Sequence, residues 1–257
     1  MDLARPQPRE HPLKAATTDQ WRLLDVQALD TRLSQIAHRR RTLPELAELA
    51  ALDQRAGVLR DELVAAQTQA SDVARELAKA EADVELVRQR ARRDQARLES
   101  GQGGHKELES LQHEVATLAR RQSALEDVEL EVMERHEALT ADADRLAGER
   151  DGLQAQVDDA TRRRDAALTA LDDEALALDR QRVGMVAGLD AALLALYEKI
   201  RATGVTAAAM LRQRRCEGCR MELNGQDLQR IRAAADDEVL RCEECGGILV
   251  RTGESGL

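Results

Sequence analysis

Fifteen positions between Leu49 and Leu98 decide most of what this chain can become. Leu49, Leu52, Ala56, Leu59, Leu63, Ala66, Ala70, Val73, Leu77, Ala80, Val84, Val87, Ala91, Asp94 and Leu98 follow one another at strictly alternating steps of three and four, and fourteen of the fifteen are apolar. A 3.5-residue repeat sustained over about seven heptads is satisfied by a left-handed coiled coil. The five alanines in the seam let helix axes approach to about 8 Å. At 1.5 Å per residue the segment is roughly 75 Å long.

The composition agrees with a rod rather than a ball. The 257 residues would accommodate one or two globular domains, but charged residues make up 33% and aromatics 1%. There is no phenylalanine, one tryptophan (Trp21) and one tyrosine (Tyr197), so the large side chains that usually fill a compact core are missing.

A second repeat begins at Leu108, Leu111, Val115 and Leu118 and continues through Leu125, Val132, Leu139, Leu146, Leu153, Ala160, Ala167 and Leu171. Its alternate positions are polar at Gln122, Glu129, His136, Arg150 and Arg164. Two readings of these stay open: seam residues that fix register, or a seam that drifts and leaves them in water. Between the repeats lies Ser100-Gly101-Gln102-Gly103-Gly104, a turn signal. It lacks the Gly-x-x-x-x-Gly-Lys-Ser/Thr spacing of a phosphate loop. A short connection implies antiparallel neighbours. Folding back about residue 102 pairs residue i with roughly 204 − i, which puts Trp21 and Tyr197 in one neighbourhood.

Upstream, Val26, Leu29, Leu33, Ile36 and Leu43 keep the same steps, with Arg40 the one polar interruption, until Pro44 imposes a kink or brief break. Residues 1–18, with Pro6, Pro8 and Pro12 among polar residues, read as a disordered tail. Thr17, Thr18 or Asp19 is the expected helix cap. After Arg182, Gly184 and Gly188 loosen the helix; Asp190–Arg201 reads as a short amphipathic helix, and 205–211 and 248–250 read as strands around a helical insert at 227–235. The fold class is mainly α: residues 19–183 form a long antiparallel coiled-coil helical hairpin, kinked near Pro44 and turning at 100–105. Residues 184–257 form a short helix and a small C-terminal four-cysteine zinc ribbon with short β-strands.

That last assignment rests on Cys216-Glu217-Gly218-Cys219 and Cys242-Glu243-Glu244-Cys245-Gly246, 22 residues apart, which use every cysteine in the chain. Two cysteines three apart place both sulfurs on one side of a tight turn, and two such knuckles facing each other supply four thiolates at tetrahedral corners. Gly218 and Gly246 sit where knuckles often need φ > 0. A thioredoxin-like redox pair would need only one Cys-x-x-Cys in a βαβ setting, and nothing in the sequence suggests the export that disulfides require. The expectation is one structural Zn²⁺ held by Cys216, Cys219, Cys242 and Cys245.

The net charge of −10 is spread through interspersed signs, which argues against a dedicated nucleic-acid binder. No apolar run reaches the roughly 18 residues of a membrane span, and the N-terminus has no apolar signal core, so the expected location is cytoplasmic. His11, His38, His105, His113 and His136 form no His-Glu-x-x-His motif, and a two-helix arm offers no pocket, so no catalytic site is expected. Arg212, Arg214, Arg215 and Arg220 cluster around the first knuckle as candidate contacts for nucleic acid or a protein partner. Against nucleic acid, residues 211–257 hold eight arginines beside nine acidic residues and no aromatic side chain to stack bases. Lys106, Glu107 and His113 are candidate contacts at the hairpin tip.

Three runs carry a resemblance: Lys106-Glu-Leu-Glu-Ser-Leu-Gln-His-Glu114 at the tip, Cys216-Glu-Gly-Cys-Arg-Met-Glu-Leu223, and Arg241-Cys-Glu-Glu-Cys-Gly-Gly-Ile-Leu249, together with the Tyr-Glu-x-Ile-Arg run at Tyr197–Arg201. With them, about residues 20 to 252 resemble the bacterial four-cysteine zinc-ribbon, coiled-coil hairpin family once grouped as a domain of unknown function. Relatives in flagellated bacteria look like chaperones or adaptors for an alternative sigma factor, with roles in flagellar or type III secretion and RNA binding. A long hairpin exposes far more surface than it buries, which suits a non-enzymatic zinc-binding coiled-coil adaptor or scaffold for protein–protein interaction, and the resemblance adds a chaperone-like or transcription-linked role as an expectation. The alternative is nucleic-acid binding through the ribbon, and the chain is expected as a monomer or a homodimer.

Overall fold

The computed structural model describes residues 13–257. The expected tail lies outside the described residues as far as Pro12. The helices are α1 (Thr17–Arg41), α2 (Pro44–Glu99), α3 (His105–Val186), α4 (Ala191–Arg201) and α5 (Gly225–Ala233). The strands are β1 (Ala208–Arg212), β2 (Arg215–Cys216), β3 (Leu240–Arg241) and β4 (Ile248–Val250). The chain divides into a hairpin unit, Pro44–Arg164, and a ribbon unit made of the residues up to Leu43 together with Asp165–Leu257. Among the described residues no helix is long and apolar enough to cross a membrane.

In the hairpin unit the repeat does what its spacing dictates. All fifteen seam positions of α2 are buried or half-buried. Leu52 shares a layer with Leu153 and Ala160, and Leu63 and Ala66 share one with Ala143 and Leu146. Charged side chains close over the seam, as where Arg135 reaches Glu76 and Arg163 reaches Glu48, each at 2.7 Å. These partners run a few residues beyond the expected 204 − i. Helical side chains lean toward their own N-terminus, so in an antiparallel pair the residues that touch both lie slightly C-terminal of the level where they meet. Of the polar seam residues, Gln122, Glu129, His136 and Arg164 are half-buried and belong to the seam, whereas Arg150 is exposed. The Gln122 amide donates to Glu126 at 2.9 Å, and Glu126 in turn accepts from Arg88 of α2 at 2.6 Å.

The turn between α2 and α3 uses Gly101 and Gly103 at positive φ (63° and 141°). Glu107 reaches back to accept from the Gly104 N–H at 3.0 Å, the reciprocal half of a capping box. Pro44 makes a brief break rather than a kink. It occupies the first position of α2, where its missing N–H costs nothing, and it drives the preceding Leu43 out of the helical region.

In the ribbon unit, Leu29 and Ile36 of α1 pack on Leu171 and Leu178 of α3, which runs unbroken through Gly184 to Val186. The four strands form one sheet in the order β2-β1-β4-β3, with β1 and β4 parallel and the outer pairs antiparallel. Alternation along the strands gives the sheet two cores. Ala208, Ile248 and Val250 meet Leu23 and Val26 of α1 and Leu193, Tyr197 and Ile200 of α4. Ala209, Leu211 and Leu249 meet Ile231 of α5 and the cysteines. Both Trp21 and Tyr197 lie in this unit, Tyr197 fully buried and Trp21 about half exposed.

Residues 13–18 depart from the expected tail. The Ala15 N–H donates to Asp237 O at 2.8 Å and the Val239 N–H to Leu13 O at 2.9 Å, so the chain is fixed before α1 starts. The cap expected from Thr17, Thr18 or Asp19 is likewise replaced. Ala16 is the N-cap without a side-chain acceptor, and the buried Gln20 amide donates back to Ala15 O at 3.0 Å.

Candidate metal centre

The two knuckles are built alike. The Arg220 N–H donates to Cys216 O at 2.7 Å and the Gly246 N–H donates to Cys242 O at 2.8 Å, each four residues after the first cysteine of its pair. Arg220 and Gly246 take positive φ (63° and 72°) to do so. The expectation for glycine thus holds at Gly246, whereas in the first knuckle the left-handed position falls on Arg220. Gly218 is needed for room instead: a Cβ there would stand 3.1 Å from Ala209 Cβ. Gly247 is tighter still, with a Cβ at 2.7 Å from Thr206 O.

The four sulfurs converge. Cys216 and Cys245 lie 4.0 Å apart, Cys219 and Cys242 3.8 Å, and all four Sγ atoms lie within 4.8 Å of one another. No disulfide joins them. Bonds of about 2.3 Å from zinc to thiolate would set tetrahedral edges of about 3.8 Å, so the donor set fits zinc with small inward movements. Burial pushes the Cys216 thiol up to about 12, against the pull of the Cys219 and Gly218 N–H groups. Burial also raises Cys245. At Cys219 burial is outweighed by the Met221 N–H and the neighbouring thiols, and the thiol is lowered. Zinc capture by such a set would displace the protons that burial holds on Cys216 and Cys245.

A polar network absent from the sequence reading ties this ribbon to the helices. Asp30 of α1, 8% exposed, accepts from Arg182 Nε at 2.7 Å and from the Tyr197 hydroxyl at 2.7 Å. Arg182 also donates to Glu198, which accepts from Arg201 Nε at 2.8 Å. Two carboxylates hold the Arg182 guanidinium well above its ordinary range, led by the Asp30 hydrogen bond. Burial and Asp30 push the Tyr197 phenol up, so it stays a donor. Beside them Gln27 Oε1 accepts from the Ala207 and Ala208 N–H groups at 2.8 and 3.2 Å, capping the start of β1. The signal in the sequence was the Tyr197–Arg201 run; Asp30 gave none, because it follows Leu29 just off the seam. At the other end of the sheet, the Arg251 guanidinium donates to the Ile231, Ala234 and Ala235 carbonyls at the end of α5, and the Trp21 indole donates to Arg251 O at 2.8 Å.

The knuckle arginines are all exposed. Arg212 pairs with Glu254 at 2.9 Å, and Arg214 Nε donates to Gly256 O at 3.2 Å. Arg215 stands opposite Arg212 across the β1–β2 ladder, and Arg220 closes the knuckle. Lys106, Glu107 and His113 belong to the hairpin unit and are exposed; of these, Glu107 has the capping role described above.

An antiparallel helical hairpin followed by a closed four-thiol ribbon defines a class of protein, and comparison with known sequences places this one in it. The profile of the CT398-like coiled coil hairpin domain matches residues 26–205, and that of the C4-type zinc ribbon domain matches residues 215–249. The chain belongs to the CT398-like coiled-coil hairpin family that carries a C4-type zinc ribbon. It is 38% identical over 239 residues to an uncharacterized protein of Mycobacterium tuberculosis, covering 93% of this chain and 98% of that one. It is 33% identical over 220 residues to an uncharacterized protein of Mycobacterium leprae, covering 86% and 95%. A solved structure from Mycobacterium smegmatis superposes with a TM-score of 0.83 at 40% identity, over 93% of this chain and all of that one. CT398 from Chlamydia trachomatis shares the fold at a TM-score of 0.64 and 16% identity, over 91% and 98%.

Proposed function

We propose that the protein is a non-enzymatic adaptor in which a single structural zinc ion clasps the ribbon and the arginine edge of the first knuckle engages an acidic surface of a protein partner. The observation that carries this reading is the turn between β1 and β2. Gln213 and Arg214 both take positive φ (45° and 67°). Two-residue hairpin turns of this kind favour Asn-Gly, and bulky residues there cost on the order of 1 kcal/mol each. The strained turn is held from behind: the Gln213 N–H donates to Glu254 O at 2.8 Å, the Arg214 N–H to Ser255 O at 2.9 Å, and the buried Ser255 hydroxyl to Leu211 O at 3.0 Å. Backbone strain supported in this way clusters at functional sites, which supports the reading of this turn as a contact surface. The turn presents Arg214 beside Arg215, and among the described residues the Arg214 guanidinium meets a carbonyl oxygen and no carboxylate.

The test is affinity capture from the native host with wild type, the R214E/R215E pair and Cys242→Ser. A partner lost by R214E/R215E while that variant keeps about one zinc per chain supports the reading. A partner retained by both variants contradicts it. The same arginines favour a second reading, phosphate contact with DNA or RNA. That reading requires binding that falls steeply with salt, and it ends if no binding occurs at low salt.

A further inference from the structure

On the hairpin unit, one broad side of the helix pair carries a groove of about 790 Å³. Its floor and walls are apolar or small at Ala51, Val58 and Gly152. Val58 is 60% exposed there. Gly152 lies mid-helix, where glycine is destabilising relative to alanine, and a Cβ at that position would meet nothing within 4 Å. The polar residues around the groove are sorted by sign. Arg55, with Gln54 and Gln156, lies toward one end; Glu62 and Glu149 lie toward the other. Glu149 is partly neutralised by Arg145, whereas among the described residues no ion pair engages Arg55 or Glu62.

We infer that this groove is the contact face of a homodimer, in which a second copy of the chain lies antiparallel over α2 and α3. The polarity of the groove selects that occupant. A two-fold axis running across both helices at Val58 and Gly152 sets each helix antiparallel on its own copy. Val58 then meets Val58, Ala51 meets Ala65, and Arg55 of each copy faces Glu62 of the other. The absence of a side chain at Gly152 lets the two α3 helices approach. A groove that is basic at one end and acidic at the other is complementary to itself once inverted, and the interface is isologous as a closed dimer requires. The exposed valine becomes the apolar centre and the charges form the rim.

Analytical ultracentrifugation of the full-length protein, from micromolar to sub-millimolar concentration, tests the assignment. Wild type is expected to reach twice its chain mass of 28.4 kDa. Arg55→Glu alone sets acid against acid, and Glu62→Lys alone sets base against base. Each is expected to weaken the dimer by roughly tenfold or more, from two symmetry-related pairs turned repulsive. Mixing the two variants restores both pairs and is expected to restore the dimer at wild-type concentration. Circular dichroism should show unchanged helicity in all of them, since these positions are exposed. A wild type that stays at the single-chain mass throughout overturns the proposal. A dimer indifferent to both variants, or one that mixing fails to rescue, overturns the groove as its interface.

Discussion

In the hairpin unit, each buried side chain meets its partner across one seam, and the next layer repeats the arrangement half a heptad further on. In the ribbon unit, Asp30, Arg182 and Tyr197 come from three different helices to form one buried cluster, and four cysteines from two knuckles form another. The first arrangement spreads its stability along a line of similar contacts, so losing one layer weakens a zipper. The second concentrates it in a few groups that have no substitute, so losing one leaves buried charge or an incomplete donor set.

Variants in the two units sharpen that contrast. The largest effect is expected from Cys242→Ser. It removes a thiolate from a set whose apparent zinc affinity in small ribbons is on the order of 10–16 kcal/mol. Elemental analysis should show the zinc lost, and limited proteolysis should cut within 207–250 while the seam of α2 and α3 resists. Asp30→Ala comes next. It leaves the Arg182 guanidinium, 15% exposed at its side chain, without its main counter-charge, at a cost of about 3–5 kcal/mol. Calorimetry should show a melting transition lowered for the ribbon unit. Leu63→Ala opens one layer of the hairpin seam and should cost about 2–5 kcal/mol, toward the lower end because a two-helix seam can close up. Its neighbour Val64, 56% exposed, should tolerate alanine within about 0.5 kcal/mol. If Leu63→Ala proves costlier than Asp30→Ala, the contrast between the units is reversed.

The smallest effect is one of pH. Burial pushes the Glu198 carboxyl up, but hydrogen bonds from Arg182 and Arg201 outweigh it and hold it below the ordinary 4.5. A carboxylate lowered in the folded state contributes stability above 4.5, and that contribution is lost as pH falls through its folded value. Glu198→Gln should therefore flatten the acid side of the stability curve below pH 4.5 and leave its slope near neutrality unchanged. A variant curve parallel to wild type throughout that acid range would remove Glu198 from the network.

What was legible in the sequence follows the same division. The α2 seam could be read residue by residue, because a coiled coil is local: Leu49 to Leu98 state their own spacing and need no other information. The cysteines could be read because Cys216, Cys219, Cys242 and Cys245 leave few other chemistries open. The parallel pairing of β1 with β4 could not be read, since Ala208 and Ile248 carry no mark of each other across some forty residues. Nor could the fixing of residues 13–15 against 237–239, because Leu13-Lys14-Ala15, directly after a proline-rich stretch, is too short to show a period. Asp30 appeared as one more charged residue on an amphipathic helix; only the arrival of Arg182 and Tyr197 makes it a buried acid. At the first knuckle the glycine is needed for a reason its position does not reveal: Gly218 is required by the closeness of Ala209 rather than by its φ.

Hydrogen exchange by mass spectrometry, on zinc-loaded protein before and after chelation, tests most directly whether the two units are held by separate means. The account predicts that metal removal raises deuterium uptake across 207–250, while peptides spanning 49–98 and 108–164 exchange as before. Uptake rising through both helices of the hairpin, or a ribbon whose exchange does not respond to the loss of metal, would contradict it.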